Sequence, residues 1–170
     1  NYSFRFSYEY NRIKETAASS SSMMGYGSWN DPNTYLYDYG LADNTMHIIK
    51  LQGIWHAPLG FVVSGNYLGR TGYQYAAYFN YDMGGSQGIV KFNAEKPSSR
   101  RLPFLHYLDF KICKDFHIQN NRLSVFVDLY NALNMNQTTS INANYYSSLF
   151  GRVTGIQTAL LAQIGARFEF

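Results

Sequence analysis

The first twelve residues, Asn1-Tyr2-Ser3-Phe4-Arg5-Phe6-Ser7-Tyr8-Glu9-Tyr10-Asn11-Arg12, decide the fold class. Tyr2, Phe4, Phe6, Tyr8 and Tyr10 fall at every second position. Ser3, Arg5, Ser7, Glu9 and Asn11 fill the gaps. Side chains of a strand point alternately to two faces, so this stretch reads as a strand with one aromatic and one polar face. A helix would spread Tyr2, Phe4 and Phe6 around its axis.

The same period recurs down the chain. Over Thr45–Ala57, Ile49, Leu51, Gly53 and Trp55 oppose Lys50, Gln52 and His56. Over Phe61–Gly72, Phe61, Val63, Gly65 and Tyr67 alternate with Ser64, Asn66 and the less polar Val62 and Leu68. Over His106–Phe116, Leu108, Phe110 and Ile112 oppose Asp109, Lys111 and Cys113. Over Arg122–Leu133, Leu123, Val125, Val127 and Leu129 oppose Ser124, Asp128, Phe126 and Tyr130. Over Ala159–Phe170, Ala162, Ile164, Ala166, Phe168 and Phe170 oppose Gln163, Gly165, Arg167 and Glu169.

Between these six strands the connections run long, short, long, short, long. Ile13–Asn44, Tyr73–Pro103 and Asn134–Thr158 are rich in Gly, Ser, Asn and Pro and read as long loops. Pro58-Leu59-Gly60 and His117–Asn121 read as short turns. A loop of thirty residues is abnormal in a compact soluble domain. Outer-membrane barrels, by contrast, place short turns on one side and long loops on the other.

Strand length fits the same architecture. Twelve residues at about 3.3 Å each, tilted by about 45°, rise about 28 Å, against an apolar band about 25 Å tall. Lipid offers no partner to a free backbone N–H, so a spanning sheet must pair every strand. On this reading Tyr2, Phe4, Phe6, Tyr8 and Tyr10 face lipid, with tyrosine hydroxyls near the headgroups, and Ser3, Arg5, Ser7, Glu9 and Asn11 face the lumen. The fold class is therefore all-β, an antiparallel transmembrane β-barrel segment.

Composition narrows the field. Of 170 residues 18% are aromatic and only 15% charged. A single Cys excludes an intrachain disulfide. No apolar run reaches the length of a membrane-spanning helix. A hydrophobic content of 46% argues against disorder, and a scattered net charge of +3 against nucleic acid as a partner. The chain opens inside a strand pattern, with no initiator Met, charged n-region or apolar h-region. Either a signal has been removed or this is a piece of a longer protein.

The C-terminal half adds specificity. Arg101-Leu102-Pro103, Leu108-Asp109, Lys114-Asp115-Phe116, the run Phe126-Val127-Asp128-Leu129-Tyr130-Asn131-Ala132-Leu133-Asn134, Gly151-Arg152-Val153 and Gln163-Ile164-Gly165-Ala166-Arg167-Phe168-Glu169-Phe170 together resemble the end of a TonB-dependent outer-membrane receptor. Trp55-His56-Ala57-Pro58-Leu59-Gly60 and Gly69-Arg70-Thr71-Gly72-Tyr73 resemble the same family. The resemblance is nearest to the Oar-like branch, whose members often carry a carboxypeptidase-regulatory-like domain. It implies a barrel of about 22 strands, of which six are present here, filled by a plug domain absent from residues 1–170. It further implies uptake of a scarce nutrient (a metal chelate, cobalamin or a glycan) energised through TonB, and a bacterial outer-membrane location. The implied partners are lipid, the rest of the barrel, the plug, TonB through the plug, and the barrel-assembly machinery. That machinery would read Ala162, Ile164, Ala166, Phe168 and the terminal Phe170.

Other constellations carry less. His47, His56, His106 and His117 lie in separate elements, and neither an HExxH nor a His-x-His pair occurs. Cys113 has no Cys partner, and its spacing from His117 does not define a catalytic pair. No catalytic residue, metal or cofactor is expected, and the chain is not read as an enzyme. Asp109, Lys111, Asp128, Arg167 and Glu169 fall on the proposed lumen face, where they either stiffen the wall as a charge ladder or contact a plug or solute. Tyr37, Tyr39, Tyr75, Tyr78, Tyr145 and Tyr146 lie in loops, where tyrosine suits both ligand contact and mutual loop packing.

Two other architectures remain open. A complete eight-stranded barrel, an adhesin or structural protein, would recruit Ala76–Tyr81 and Gly88–Asn93 as two further strands. A soluble sandwich binding carbohydrate through Tyr and Trp is the third, and detergent dependence separates it from the other two.

Overall fold

A computed structural model of the protein describes residues 1–16, 41–82, 84–85, 89–119 and 121–170. Among them the order of elements is β1 (Tyr2–Thr16), β2 (Leu41–His56), β3 (Phe61–Arg70), β4 (Gln74–Tyr75), β5 (Tyr78–Asp82), β6 (Ile89–Asn93), β7 (Arg100–Arg101), β8 (Leu105–Ile118), β9 (Asn121–Tyr130), β10 (Thr138–Ile141), β11 (Val153–Ile156) and β12 (Leu161–Glu169). The fold is all-β and its paired strands run antiparallel. One sheet dominates, a six-stranded meander in the order β1-β2-β3-β8-β9-β12. These are the six strands expected from the period-two stretches. The sheet is open: β1 and β12 are its two edges, and no pairing closes them on one another among the described residues.

The register keeps the two faces separate. Residues directly opposite on antiparallel strands share a face. The row Tyr2–Trp55–Val63–Ile112–Val127–Ile164 crosses all six strands. The row Phe4–Gly53–Gly65–Phe110–Leu129–Ala162 runs parallel to it. The alternate residues give a polar row, Arg5–Gln52–Asn66–Asp109, and beside it Lys111–Asp128–Gln163. A slip of one residue in any pair would put aromatic side chains among these charges.

The apolar face has no second layer over it among the described residues. Tyr2 is 85% exposed, Phe4 70% and Ile164 77%. The buried side chains lie elsewhere. Among the described residues Ala76, Ala77, Leu102, Leu105 and Ala143 are the buried hydrophobic ones, all in the long connections or at the strand end beside them. The packed core thus sits beyond one end of the sheet rather than against its face.

The sheet is also slanted. The row from Tyr2, at the start of β1, meets β12 at Ile164, and β12 continues five residues further, to Glu169. Five residues of about 3.3 Å, set against five interstrand steps of about 4.8 Å, give a slant of about 35°. That falls at the edge of the tilt of about 35–45° found in closed barrels.

The short turns form where Pro and Gly place them. Pro58–Gly60 makes a single 3-10 turn in which Leu59 and Gly60 take φ of 63° and 76°. The β8–β9 turn is tighter than His117–Asn121: His117 pairs with Arg122 and Ile118 with Asn121, and Gln119 takes φ 55°. Asn1 exchanges backbone hydrogen bonds with His56, and Glu169 pairs with Arg122, so both chain ends lie at the short-turn end.

Several boundaries move. The loop expected from Ile13 to Asn44 is shorter, because β1 continues to Thr16 and pairs with β2 back to Leu41. The apolar alternation stops at Tyr10, but the backbone ladder does not, and Arg12 and Asp43 bridge it (Nε–Oδ1 2.9 Å). β3 stops at Arg70 rather than Gly72, where Thr71 turns to accept the His47 N–H on its hydroxyl at 3.1 Å. β9 stops at Tyr130 rather than Leu133, because Asn131 enters the left-handed region at φ 50°. β12 starts at Leu161 rather than Ala159.

The long connections are not wholly irregular. They carry the pairs β4–β7, β5–β6 and β10–β11. The two extra strands of the eight-stranded alternative exist as β5 and β6, but they pair with each other, outside the main sheet. They do not extend the main sheet.

One glycine of the main sheet is covered by an aromatic ring across the ladder. Gly165 lies opposite Phe126, whose ring covers it so closely that a Cβ there would fall 2.4 Å from the ring. An aromatic shielding a glycine across the ladder is a known stabiliser of edge strands. Gly165→Val is expected to lower stability by about 1–3 kcal/mol, as overpacking does, and to dislodge Lys111 from the same ring, 4.0 Å away. Chemical denaturation in detergent checks this; an unchanged midpoint contradicts it.

Candidate functional site

Two surfaces gather the chemistry: the polar face of the sheet and the cluster of long connections.

On the polar face, β8 and β9 bring Lys111 and Asp128 into direct register, with Nζ 3.1 Å from Oδ1. The Lys111 ammonium also rests over the Phe126 ring. Nearby, Arg122 and Asp115 pair at 2.5 Å, and the Ser124 hydroxyl donates to Asp115 at 2.6 Å. Arg167 and Glu169 pair with each other along β12 at 3.0 Å. Lys50 and Glu9 lie 3.8 Å apart on the β1 side. Asp109 shares the face but does something else: its Oδ1 accepts the backbone N–H of Asn131 at 3.1 Å and so holds the turn that ends β9. Cys113 lies against a carboxylate, with Sγ 3.7 Å from Asp115 Oδ1. A concavity of about 410 Å³ opens here, with Lys111, Arg122, Arg167 and Glu169 around it.

The apolar face changes character toward the long-loop end. Tyr8 hydrogen-bonds to His47 Nδ1 at 2.8 Å, and Tyr67 to His106 Nδ1 at 2.8 Å. Phe104 packs at a tilt against His106, with ring centroids 4.8 Å apart. Amphipathic rings with one wet and one apolar end suit a boundary between hydrocarbon and water. Along β12, Ala162, Ile164, Ala166 and Phe168 share the apolar face by register. Phe170 follows β12 and is 99% exposed, its ring 6.3 Å from Phe168.

The second and third connections pack into one body. Tyr78 N–H donates to Ala143 carbonyl at 3.0 Å, and Tyr145 N–H to Tyr78 carbonyl at 2.6 Å, so Tyr78 and Asn144 form a parallel bridge. Glu95 clamps the base of the second connection. It accepts from Arg100 Nε at 2.8 Å, from Ser99 at 3.1 Å and from the Ala77 amide at 3.4 Å. The Arg100 hydrogen bond, more than anything else, holds the Glu95 carboxyl below its ordinary value, and the same contact raises Arg100. Gln137 and Gln157 tie the third connection to β8: Gln137 accepts the His106 N–H at 2.7 Å and Gln157 donates to the His106 carbonyl at 2.8 Å. Arg101 donates to the Thr45 carbonyl at 2.7 Å, fastening the second connection to β2.

The loop tyrosines divide into two roles. Tyr146 packs on Phe79 and Tyr145 on Phe150, with centroids 5.4 Å apart in each case. Tyr75 and Tyr78 instead line an open cleft of about 570 Å³ between the two connections. Tyr37 and Tyr39 lie outside the described residues. The Glu95 clamp and the two glutamine ties are absent from the sequence reading. Nothing local marks Glu95 as the partner of Arg100, or Gln137 and Gln157 as partners of His106.

No family model, curated protein or solved structure matches this chain.

The clamp makes a pH prediction. Because the folded state holds Glu95 below its ordinary value, its contribution is fully present above the unfolded carboxyl value and is lost as pH falls through the lower folded value. Hydrogen exchange at the Ala77 amide, taken relative to its intrinsic rate at each pH, should therefore stay slow at neutral pH and accelerate on acidification below the ordinary glutamate range. Glu95→Gln should accelerate it at neutral pH. Exchange independent of both would show that Glu95 does not hold this loop.

Proposed function

We propose that this chain is part of the wall of a bacterial outer-membrane barrel, the C-terminal portion of a TonB-dependent receptor that takes up a nutrient. The observation that carries the reading is the continuous apolar face, spread over six slanted strands and left uncovered, with paired charges on the face behind it. In water such a face would be a liability far beyond the patch a soluble monomer tolerates. Against lipid tails it is the required surface.

Supporting features agree in direction. The long connections emerge at one end of the sheet and the short turns at the other. The tyrosine and histidine girdle lies at the long-loop end of the apolar face. The two free edges need partners, because an unpaired backbone group in hydrocarbon costs several kcal/mol. The rest of the receptor barrel would pair with β1 and β12. A plug domain would meet the polar face, with TonB acting through it. The barrel-assembly machinery would engage β12 and Phe170. In this role the chain performs no catalysis. The pairing of β5 with β6 away from the sheet weighs against a complete eight-stranded barrel.

Lipid contact predicts a sharp asymmetry between neighbours on β1. Phe6→Arg is expected to weaken association with phospholipid vesicles by about 2–4 kcal/mol, the cost of a cation near the bilayer midplane. Ser7→Arg, one residue on, should change it by less than about 0.5 kcal/mol. Flotation of the two variants measures this. Equal effects, or the larger effect at Ser7, would overturn the membrane reading. The receptor assignment is tested separately, by sequencing the gene upstream of the Asn1 codon. A frame encoding a plug and about sixteen further strands is expected; a stop codon there would refute it.

A further inference from the structure

The cleft between the second and third long connections is built differently from the rest of the molecule. Tyr73, Tyr75 and Tyr78 supply aromatic surface on one side, and Thr139, Asn142 and Thr154 supply hydroxyl and amide groups on the other. None of the ten lining residues carries a charge. Of the cations beside it, the Arg70 guanidinium stacks on the Tyr73 ring at 4.6 Å, Arg100 is tied to Glu95, and Arg101 donates to the Gly72 and Thr45 carbonyls.

The cleft is also held in shape. Ala76, Ala77, Leu102 and Ala143, among the few fully or nearly buried residues described, lie in the same segments as its walls. The parallel bridge at Tyr78, the β10–β11 pair and the Glu95 clamp fix those walls from three sides. A spanning wall does not need a packed core in its loops. Rigid aromatic surface beside uncharged hydrogen-bonding groups, set before any ligand arrives, lowers the ordering cost of binding.

We infer that this cleft binds an uncharged, hydroxyl-rich ligand, of the class of a neutral oligosaccharide. Sugar C–H faces would pack on the tyrosine rings, and sugar hydroxyls would exchange hydrogen bonds with Thr139, Asn142 and Thr154. The absence of lining charge disfavours an anionic chelate or an acidic glycan, which would be desolvated without a counter-charge. This rests on the reading of the chain as a receptor wall with its long connections outside the cell.

The test uses the full chain in lauryldimethylamine oxide, a detergent without a sugar headgroup. Maltohexaose, cellohexaose and xylohexaose are titrated calorimetrically beside hexagalacturonate. At least one neutral hexasaccharide should bind, and more tightly than hexagalacturonate. Tyr73→Ala and Tyr75→Ala should each weaken that binding by about tenfold. Slow exchange at the Ala77 amide reports that a variant keeps its loop fold. If Tyr75→Ala loses it, Tyr73→Ala, at a half-exposed position, decides the matter. The inference is overturned if no neutral sugar binds, if hexagalacturonate is preferred, or if binding survives both substitutions unchanged. Vesicle flotation of the same sample separates the two readings. A chain that floats but binds no sugar overturns the cleft alone, and one that binds sugar but does not float overturns the wall alone.

Discussion

The cross-strand register is the constraint on which everything else in this molecule depends. Each of the five strand pairings in the main sheet sets like residues opposite one another, from Tyr2–Trp55 at one edge to Val127–Ile164 at the other. Because side chains alternate with a period of two, there is no intermediate register. Either the aromatic residues of β1 share a face with the apolar rows of the other five strands or the faces are mixed. The ion pairs reinforce the choice: Lys111–Asp128 forms only when β8 and β9 pair as they do. The Phe126–Gly165 contact sets β12 against β9 in the same way.

The register separates two jobs in space. Among the described residues the main sheet carries no conventional core, since one face is apolar and open and the other polar and paired. The packed residues are gathered instead in the connections beyond one end, where Glu95, Gln137 and Gln157 hold irregular backbone to β8 and to itself. Stability of the sheet therefore depends on its surroundings, whereas the order of the second and third connections is built from their own contacts. A binding surface can vary in such loops without disturbing the strands beneath it.

What the sequence displays, and what it hides, follows from the range of the interactions. The six strands are visible because alternation is local. Pro58-Leu59-Gly60 is visible because its residues favour a turn on their own. The upper part of the β1–β2 hairpin is not, since Arg12, Lys14 and Asp43 take positions on the apolar face and break the pattern while the backbone ladder runs on. β5 and β6 are legible as strands, but not their choice of each other over the sheet. Asp109 is legible as a wall charge, yet its partner is a backbone amide 22 residues away. The two-way division of the loop tyrosines depends on docking between distant segments, which leaves no periodic mark.

The central claim is that one face of the sheet meets lipid and the other meets water. Nitroxide labels placed singly at residues 2 to 11 of β1, in the chain bound to phospholipid vesicles, test it most directly. Accessibility to oxygen, which dissolves in the bilayer, should peak at the even positions. Accessibility to a water-soluble nickel chelate should peak at the odd ones. A trace without alternation, or one with the nickel chelate reaching the even positions, would contradict the account.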